Sequence, residues 1–175
     1  MTIARILFAA VFCLALFAAG LAQKPVKFTS VYTSLGKGCK TLRGGPGQDD
    51  ASLCPGPDGY KVRVYFSAAT MQINAEPRGS DQSASLATLD LGFDDRKTKL
   101  EWRLANGKPF AVIMRVPKYA DPKPGEYFGK VIGQELKVSG LVGYDIDQTV
   151  DTGPGANQKA REAADKGYVK KERIK

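Results

Sequence analysis

Carboxylates are the only side chains here with the makings of a catalytic pair. Histidine is absent from all 175 residues, which removes Ser-His-Asp and Cys-His relays and leaves a catalytic zinc with carboxylate ligands alone. Asp151-Thr152-Gly153 has the form of an aspartic-protease triplet, but that chemistry needs two such aspartates sharing a proton, and the chain holds one. Asp145, Asp147 and Asp151 take the odd-numbered steps of a calcium loop. Val150 stands where its sixth-position glycine belongs and Ala156 where its twelfth-position glutamate belongs, so ordinary strand-to-helix loop aspartates are expected. Gly38-Cys39-Lys40-Thr41 ends like a phosphate loop without the earlier glycine or the contiguous Gly-Lys. What stays open is a carboxylate pair, Asp94-Asp95 or Glu101 with Glu135, serving as acid and base in an envelope hydrolase. Against it, Asp94-Asp95-Arg96-Lys97 reads as a charged turn, and Glu101 is expected to pair locally with Lys99 and Arg103. No cofactor and no metal follow from these residues.

The cysteines point to covalent rather than catalytic use. The first twenty-two residues read as a secretory signal peptide: Arg5 precedes an apolar run from Ile6 to Ala19, which ends in the small-x-small pattern Gly20-Leu21-Ala22. The run is shorter than the roughly 20 residues an anchoring helix needs, so the exported protein is expected to begin at Gln23, lose Cys13 and work in the periplasm or outside the cell. Cys39 and Cys54 are then the only cysteines, and an oxidising compartment predicts a disulfide between them. The bridge closes the loop from Cys39 to Cys54, within a Gly36–Tyr60 stretch whose Gly44–Asp50 part has nothing to bury.

Residues 23–175 are long enough for one domain with its own core. Without Arg5 the chain carries 25 basic against 18 acidic side chains, a net charge of +7. That excess favours anionic envelope partners, whether acidic glycan, lipid head group or protein surface. The cations are scattered, with no ribbon of basic and aromatic residues to stack bases, so a specific nucleic-acid partner is not expected. No segment after the leader is apolar enough to span a membrane.

The elements that must position these groups are mostly strands. Pro55-Gly56-Pro57-Asp58-Gly59 is a turn leading into Lys61–Ala68, where Val62, Val64 and Phe66 alternate with polar residues; Thr70–Glu76 follows with Met71 and Ile73 on one face. Asn106-Gly107 between two strand-like runs predicts a type I′ hairpin. An unbroken register sets Trp102 opposite Ala111 and Leu100 opposite Ile113. Phe110, Val112 and Met114 then share the second face with Lys99, Glu101 and Arg103, and need a cover. The cover is expected from a C-terminal helix with Ala156, Ala160, Ala163 and Ala164 in a stripe, a cap at Asp151 or Thr152, Pro154 near its start, a Glu162–Lys166 pair and a stop at Gly167. Phe28–Leu35, Ser85–Leu91, Phe128–Ile132 and Gln134–Ile146 supply further strands. The fold class is α+β, mainly an antiparallel sheet of about seven strands with one C-terminal helix packed on it.

The segments YTSLGKGCKTL, CPGPDGYKVRV, EWRLANGKPFAVIMRV and GYDIDQTVDTGPGANQKAREAAD together resemble a family of uncharacterised exported proteins of Gram-negative bacteria. The resemblance covers most of residues 23–175, with Cys-Pro-Gly-Pro and Glu-Trp-Arg-Leu its most specific parts. It implies export and a single domain, and it brings no activity. Many members of that family also carry a cysteine pair flanking the C-terminal helix region; this chain has Leu141-Val142 at that approach and no such cysteine.

These observations predict a binding or inhibitory module that meets an envelope protein or an anionic glycan or lipid through its loops. The expected contact loop is Pro117–Phe128, stiffened by three prolines and presenting Lys118, Tyr119, Lys123 and Tyr127.

Overall fold

Five strands make each of two antiparallel sheets. The computed structural model describes residues 25–44, 50–67 and 69–173; the signal peptide expected over residues 1–22 lies outside the described residues. Sheet A has the order β1 (Phe28–Ser34), β7 (Lys99–Ala105), β8 (Lys108–Tyr119), β9 (Val131–Gly140) and β10 (Asp147–Asp151). Sheet B runs β2 (Lys40–Leu42), β3 (Ala51–Pro55), β4 (Lys61–Phe66), β5 (Thr70–Glu76) and β6 (Ala84–Asp90) in sequence order. Helix α1 (Ala156–Glu172) packs on the outer face of sheet A. The described chain is thus three layers, helix on sheet on sheet, and none of its helices is long and apolar enough to cross a membrane.

The α+β class and the C-terminal helix are as the sequence predicts, but the strands number ten, not about seven. Two of the additions lie in the Gly36–Tyr60 stretch, on either side of its Gly44–Asp50 part. Lys40 pairs with Leu53 and Leu42 with Ala51, so β2 and β3 form a small ladder, and Cys39 bonds Cys54 beside it. Ala51 and Cys54 are buried in the core. The third addition is β10, drawn from residues expected to be loop. Phe128 to Lys130 do not join a strand, and the two expected strands merge into β9, whose ladder with β8 shifts register beside Gly133.

Between the sheets lies an apolar interior. Val62, Val64, Met71, Ile73 and Leu86 of sheet B meet Leu100, Trp102, Val112 and Met114 of sheet A. Trp102 is fully buried, its indole N–H donates to Thr33 Oγ1 at 2.8 Å, and its ring lies 5.6 Å from that of Tyr60. A buried indole needs such a partner for its one donor. Ser139 Oγ on β9 donates to the Leu86 carbonyl on β6 at 2.8 Å, tying the sheets together at their other side.

The β7–β8 hairpin turns at Asn106-Gly107 as predicted, both residues having positive φ (50° and 84°) as a type I′ turn requires. Its register differs from the simple one. A bulge between Arg103 and Leu104 slips the ladder by one residue, so Trp102 faces Val112 and Leu100 faces Met114. One slipped residue moves every later side chain to the other face. Val112, Met114 and Val116 therefore enter the inter-sheet core, while Phe110, Ala111 and Ile113 lie under the helix. The local cause is legible at Pro109, which cannot donate to a central ladder and is tolerated at a bulge.

Helix α1 covers sheet A with Ala156, Ala160 and Ala164 buried against it; the small side chains allow the close approach expected of the stripe. Its ends differ from expectation. Neither Asp151 nor Thr152 caps it: the cap position is Gly155, in the left-handed region with φ 73° and without a side-chain bond. Thr152 Oγ1 instead donates to the Gln134 carbonyl, and Asp151 belongs to β10. Gly167 does not stop the helix. It is there because Ile146 presses against it, and a Cβ at that position would meet Ile146 Cγ1 at 2.5 Å. Freed from a stop, the helix carries Tyr168 onto Phe110, 4.9 Å between rings, and onto Phe28 and Tyr144. Glu162 is bonded by Gln158 one turn earlier rather than by Lys166.

Candidate functional site

The outer face of sheet A is polar where the helix does not cover it. The register sets Ser30 beside Arg103, Tyr32 beside Glu101 and Ser34 beside Lys99, then Glu101 beside Ile113. Lys99 and Arg115 flank the inward Leu100–Met114 pair, so both leave from the outer face. The bulge is what places Arg115 there; in the unbroken register it would share the face of Leu100 and Trp102.

Near the middle of this face the helix is fastened by charge. Arg103 makes a two-pronged bond to Asp165, Nη2 lying 2.7 Å from Oδ2 and Nε 3.1 Å from Oδ1. Arg161 Nε donates to Glu101 Oε1 at 2.6 Å, and its Nη2 reaches Tyr32 Oη at 3.0 Å. Ser30 joins the two pairs, donating to Glu101 and accepting from Arg103 Nη1 at 2.7 Å. Burial by itself would raise the Glu101 carboxyl, but hydrogen bonds from Arg161 and Ser30, with the charges of Arg161 and Arg103, hold it below the usual carboxylate range.

An ionised, fully bonded carboxylate such as that of Glu101 is a poor general acid, and its proposed partner is on the wrong side: Glu135 pairs with Val116, which points into the inter-sheet core, so the two carboxylates leave opposite faces of sheet A. A pair separated by a sheet cannot flank one bond. Asp94 is engaged by Lys97 at 3.2 Å, and the side chain of Asp95 lies outside the described residues. Two of the three aspartates expected in a loop are in β10 and committed, Asp147 to Lys137 and Asp151 to Lys118.

Beyond the fastened helix the same face opens into a cleft of about 600 Å³. Ile113 and Leu136 are buried at its floor, while Lys97, Lys99, Arg115 and Arg161 stand with Asp94 and Glu101 around it. Two of the four cations are matched, Lys97 by Asp94 and Arg161 by Glu101. Lys99 and Arg115 are exposed and have no ion pair among the described residues. Asn157, in the first turn of α1, lines the same cleft. That turn has no acidic residue, so the positive end of the helix dipole adds to the field. The cleft thus has an apolar floor and an excess of positive charge, with four cations against the carboxylates of Asp94 and Glu101.

The loop residues named from sequence are dispersed in role. Lys118 lies in the last two residues of β8 and pairs with Asp151. Tyr119 accepts the Asp90 N–H at 3.2 Å and packs on Phe128, 4.9 Å between rings. Lys123 is exposed, its backbone held by Glu126, and Tyr127 is 79% exposed. Two of the four thus anchor the base of the loop and two stand at its tip. The sequence did not reveal the cleft, because Arg115 joins it only through the bulge and Arg161 only through the packing of the helix. Comparison with known protein families, curated proteins and solved structures finds no match.

Proposed function

We propose that this protein is a binding or inhibitory module of the bacterial cell envelope, periplasmic or secreted, that recognises an anionic group of its partner in the cleft of Lys99, Arg115 and Arg161. One observation carries the reading: Lys99 and Arg115 project from the same face of neighbouring strands with no counter-ion between them. Like charges so placed oppose folding, and an anion seated between them relieves that cost. The loop from Ala120 to Lys130 joins β8 to β9 and exposes Lys123 and Tyr127 as a second contact surface. The disulfide accords with an oxidising compartment, as do the leader-like N-terminus and the resemblance to exported proteins.

Titration of the exported protein with a sulfated glycan such as heparin tests this. Lys99→Ala and Arg115→Ala are each expected to weaken binding about tenfold, the loss of one charge-assisted bond. Raising ionic strength from about 0.05 to 0.5 M should weaken the complex further, because screening shortens the reach of surface charge. Lys123→Ala and Tyr127→Ala are expected to act less, with only the lysine change altering the salt dependence. Binding equal to wild type in both cleft variants would remove the cleft from the reading, and turnover of the glycan would replace it with an enzyme.

A further inference from the structure

Four strands end the two sheets, and three are guarded. β2 has three residues, one of them Lys40; β10 carries Asp147 and Asp151; β6 faces β9 through the Ser139–Leu86 bond and receives Tyr119 at Asp90. Short length, charge and cover are the usual defences of an exposed edge. β1 has none of them. Its seven residues, FTSVYTS, hold no charge and no proline, and pair with β7 in seven consecutive steps without a bulge.

The free backbone groups of β1 follow from two bonds at its ends. Asn106 N–H donates to the Lys27 carbonyl, and Leu35 N–H to the Thr98 carbonyl. Both pairs continue the register of β1 with β7, and antiparallel hydrogen bonding alternates along a strand. Thr29, Val31 and Thr33 therefore bond β7, while Phe28, Ser30, Tyr32 and Ser34 turn their N–H and C=O groups away from it. No other described strand pairs with β1.

A groove of about 1030 Å³ runs along this edge, its far wall formed by Pro55, Gly56 and Pro57. Val31 and Thr33 line it from the inter-sheet side, and Val31 is 37% exposed. Its charged lining residues are Lys37 and Lys99, with no acid; neither lysine has an ion pair among the described residues.

We propose that β1 is a strand-addition site, where an extended acidic segment of a partner protein becomes the sixth strand of sheet A. Alternate residues of the segment lie over Val31, Pro55 and Pro57 and are apolar; those between them meet Lys37 and Lys99 and are acidic. Main-chain bonds to Ser30 and Tyr32 supply the register, and side chains the choice of partner. A second copy of this chain fits worse, since the chain's net charge is +8 and two β1 edges would bring four lysines together. The proposal shares Lys99 with the cleft but rests on the backbone of β1, not on the cleft's unmatched cations.

The test is amide hydrogen exchange of the exported protein with an eight-residue peptide of alternating valine and glutamate. Exchange at Ser30 and Tyr32 is expected to slow about tenfold or more at saturation, while Val31 and Thr33, already bonded to β7, change little. The same peptide N-methylated at every amide should give no protection, and Lys37→Ala should weaken the unmodified peptide about two- to fivefold. Arg115→Ala lies outside the groove and should leave it unchanged. Protection absent from Ser30 and Tyr32, equal protection by a valine–lysine peptide, or an Arg115→Ala effect as large as that of Lys37→Ala would each overturn the proposal. So would slow exchange at Ser30 and Tyr32 in a peptide-free dimer, which would assign the edge to a second copy.

Discussion

Sheet A is held on its two faces by different physics. Its inner face meets sheet B through fully buried apolar side chains, with Trp102, Met114 and Ile73 at the centre. Its outer face meets the helix through alanines, an aromatic cluster and two arginine–carboxylate pairs joined by Ser30. Burial on the inner face is non-directional and scales with area. The outer face is directional: a helix bearing small residues has little area to bury, and Arg103–Asp165 and Arg161–Glu101 set its position along the strands. The inner face should therefore carry most of the stability, and the outer face should carry the response to acid.

Trp102→Ala probes the inner face most severely, removing a fully buried ring and the bond to Thr33. We expect a loss of about 3–5 kcal/mol in a denaturant melt; a loss below that of the outer-face variants would reverse the ranking. Next is the disulfide, which fastens β2 and β3 beside the same interior. Changing Cys39 and Cys54 to serine should cost about 3 kcal/mol with the fold retained, and free thiols in the protein purified without reductant would contradict the bridge itself. Arg103→Ala addresses the outer face by leaving Asp165 without its partner. Because Asp165 keeps some exposure, the expected cost is about 2–3 kcal/mol, at or below the lower end of the range for broken buried pairs. The loss should be local: amides of α1 should exchange faster while those of β4 and β5 do not, and uniform acceleration would deny the outer face an independent role.

The smallest effect is that of pH. The Glu101 carboxyl is held below its ordinary range, so its contribution is complete above about pH 4.3, the value for an unfolded chain. It is lost as pH falls through the depressed folded value. The acid limb of the stability curve should therefore be shallower in Glu101→Gln than in wild type. An unchanged limb would mean that Glu101 is not the group that acid reaches.

Much of the outer face was readable from residue types. Lys99, Glu101 and Arg103 alternate with Leu100, Trp102 and Leu104 as a strand with one charged side should, and the alanine stripe announced a close-packed helix. Glu101 was expected to pair with its strand neighbours; its partner is Arg161, sixty residues away. Period and composition show that a side chain will leave a given face, but not which distant element arrives above it. Gly167 shows the same limit, since a glycine near a helix end reads as a stop until Ile146 is seen against it.

By itself the sequence determined what short-range chemistry decides: the Asn106-Gly107 turn, the Cys39–Cys54 bridge, the antiparallel α+β class and the absence of histidine chemistry. Tertiary structure decided the register beyond the bulge at Arg103 and Leu104, and with it the face from which Val112, Met114 and Arg115 emerge. The physical reason is that a strand has a period of two, so a single inserted residue inverts every assignment after it. Nothing in Val112–Arg115 records that inversion locally; it is selected by the sheet on one side and the helix on the other. The same slip carries Arg115 out of the core side and beside Lys99, which is why the cleft exists only in the folded molecule.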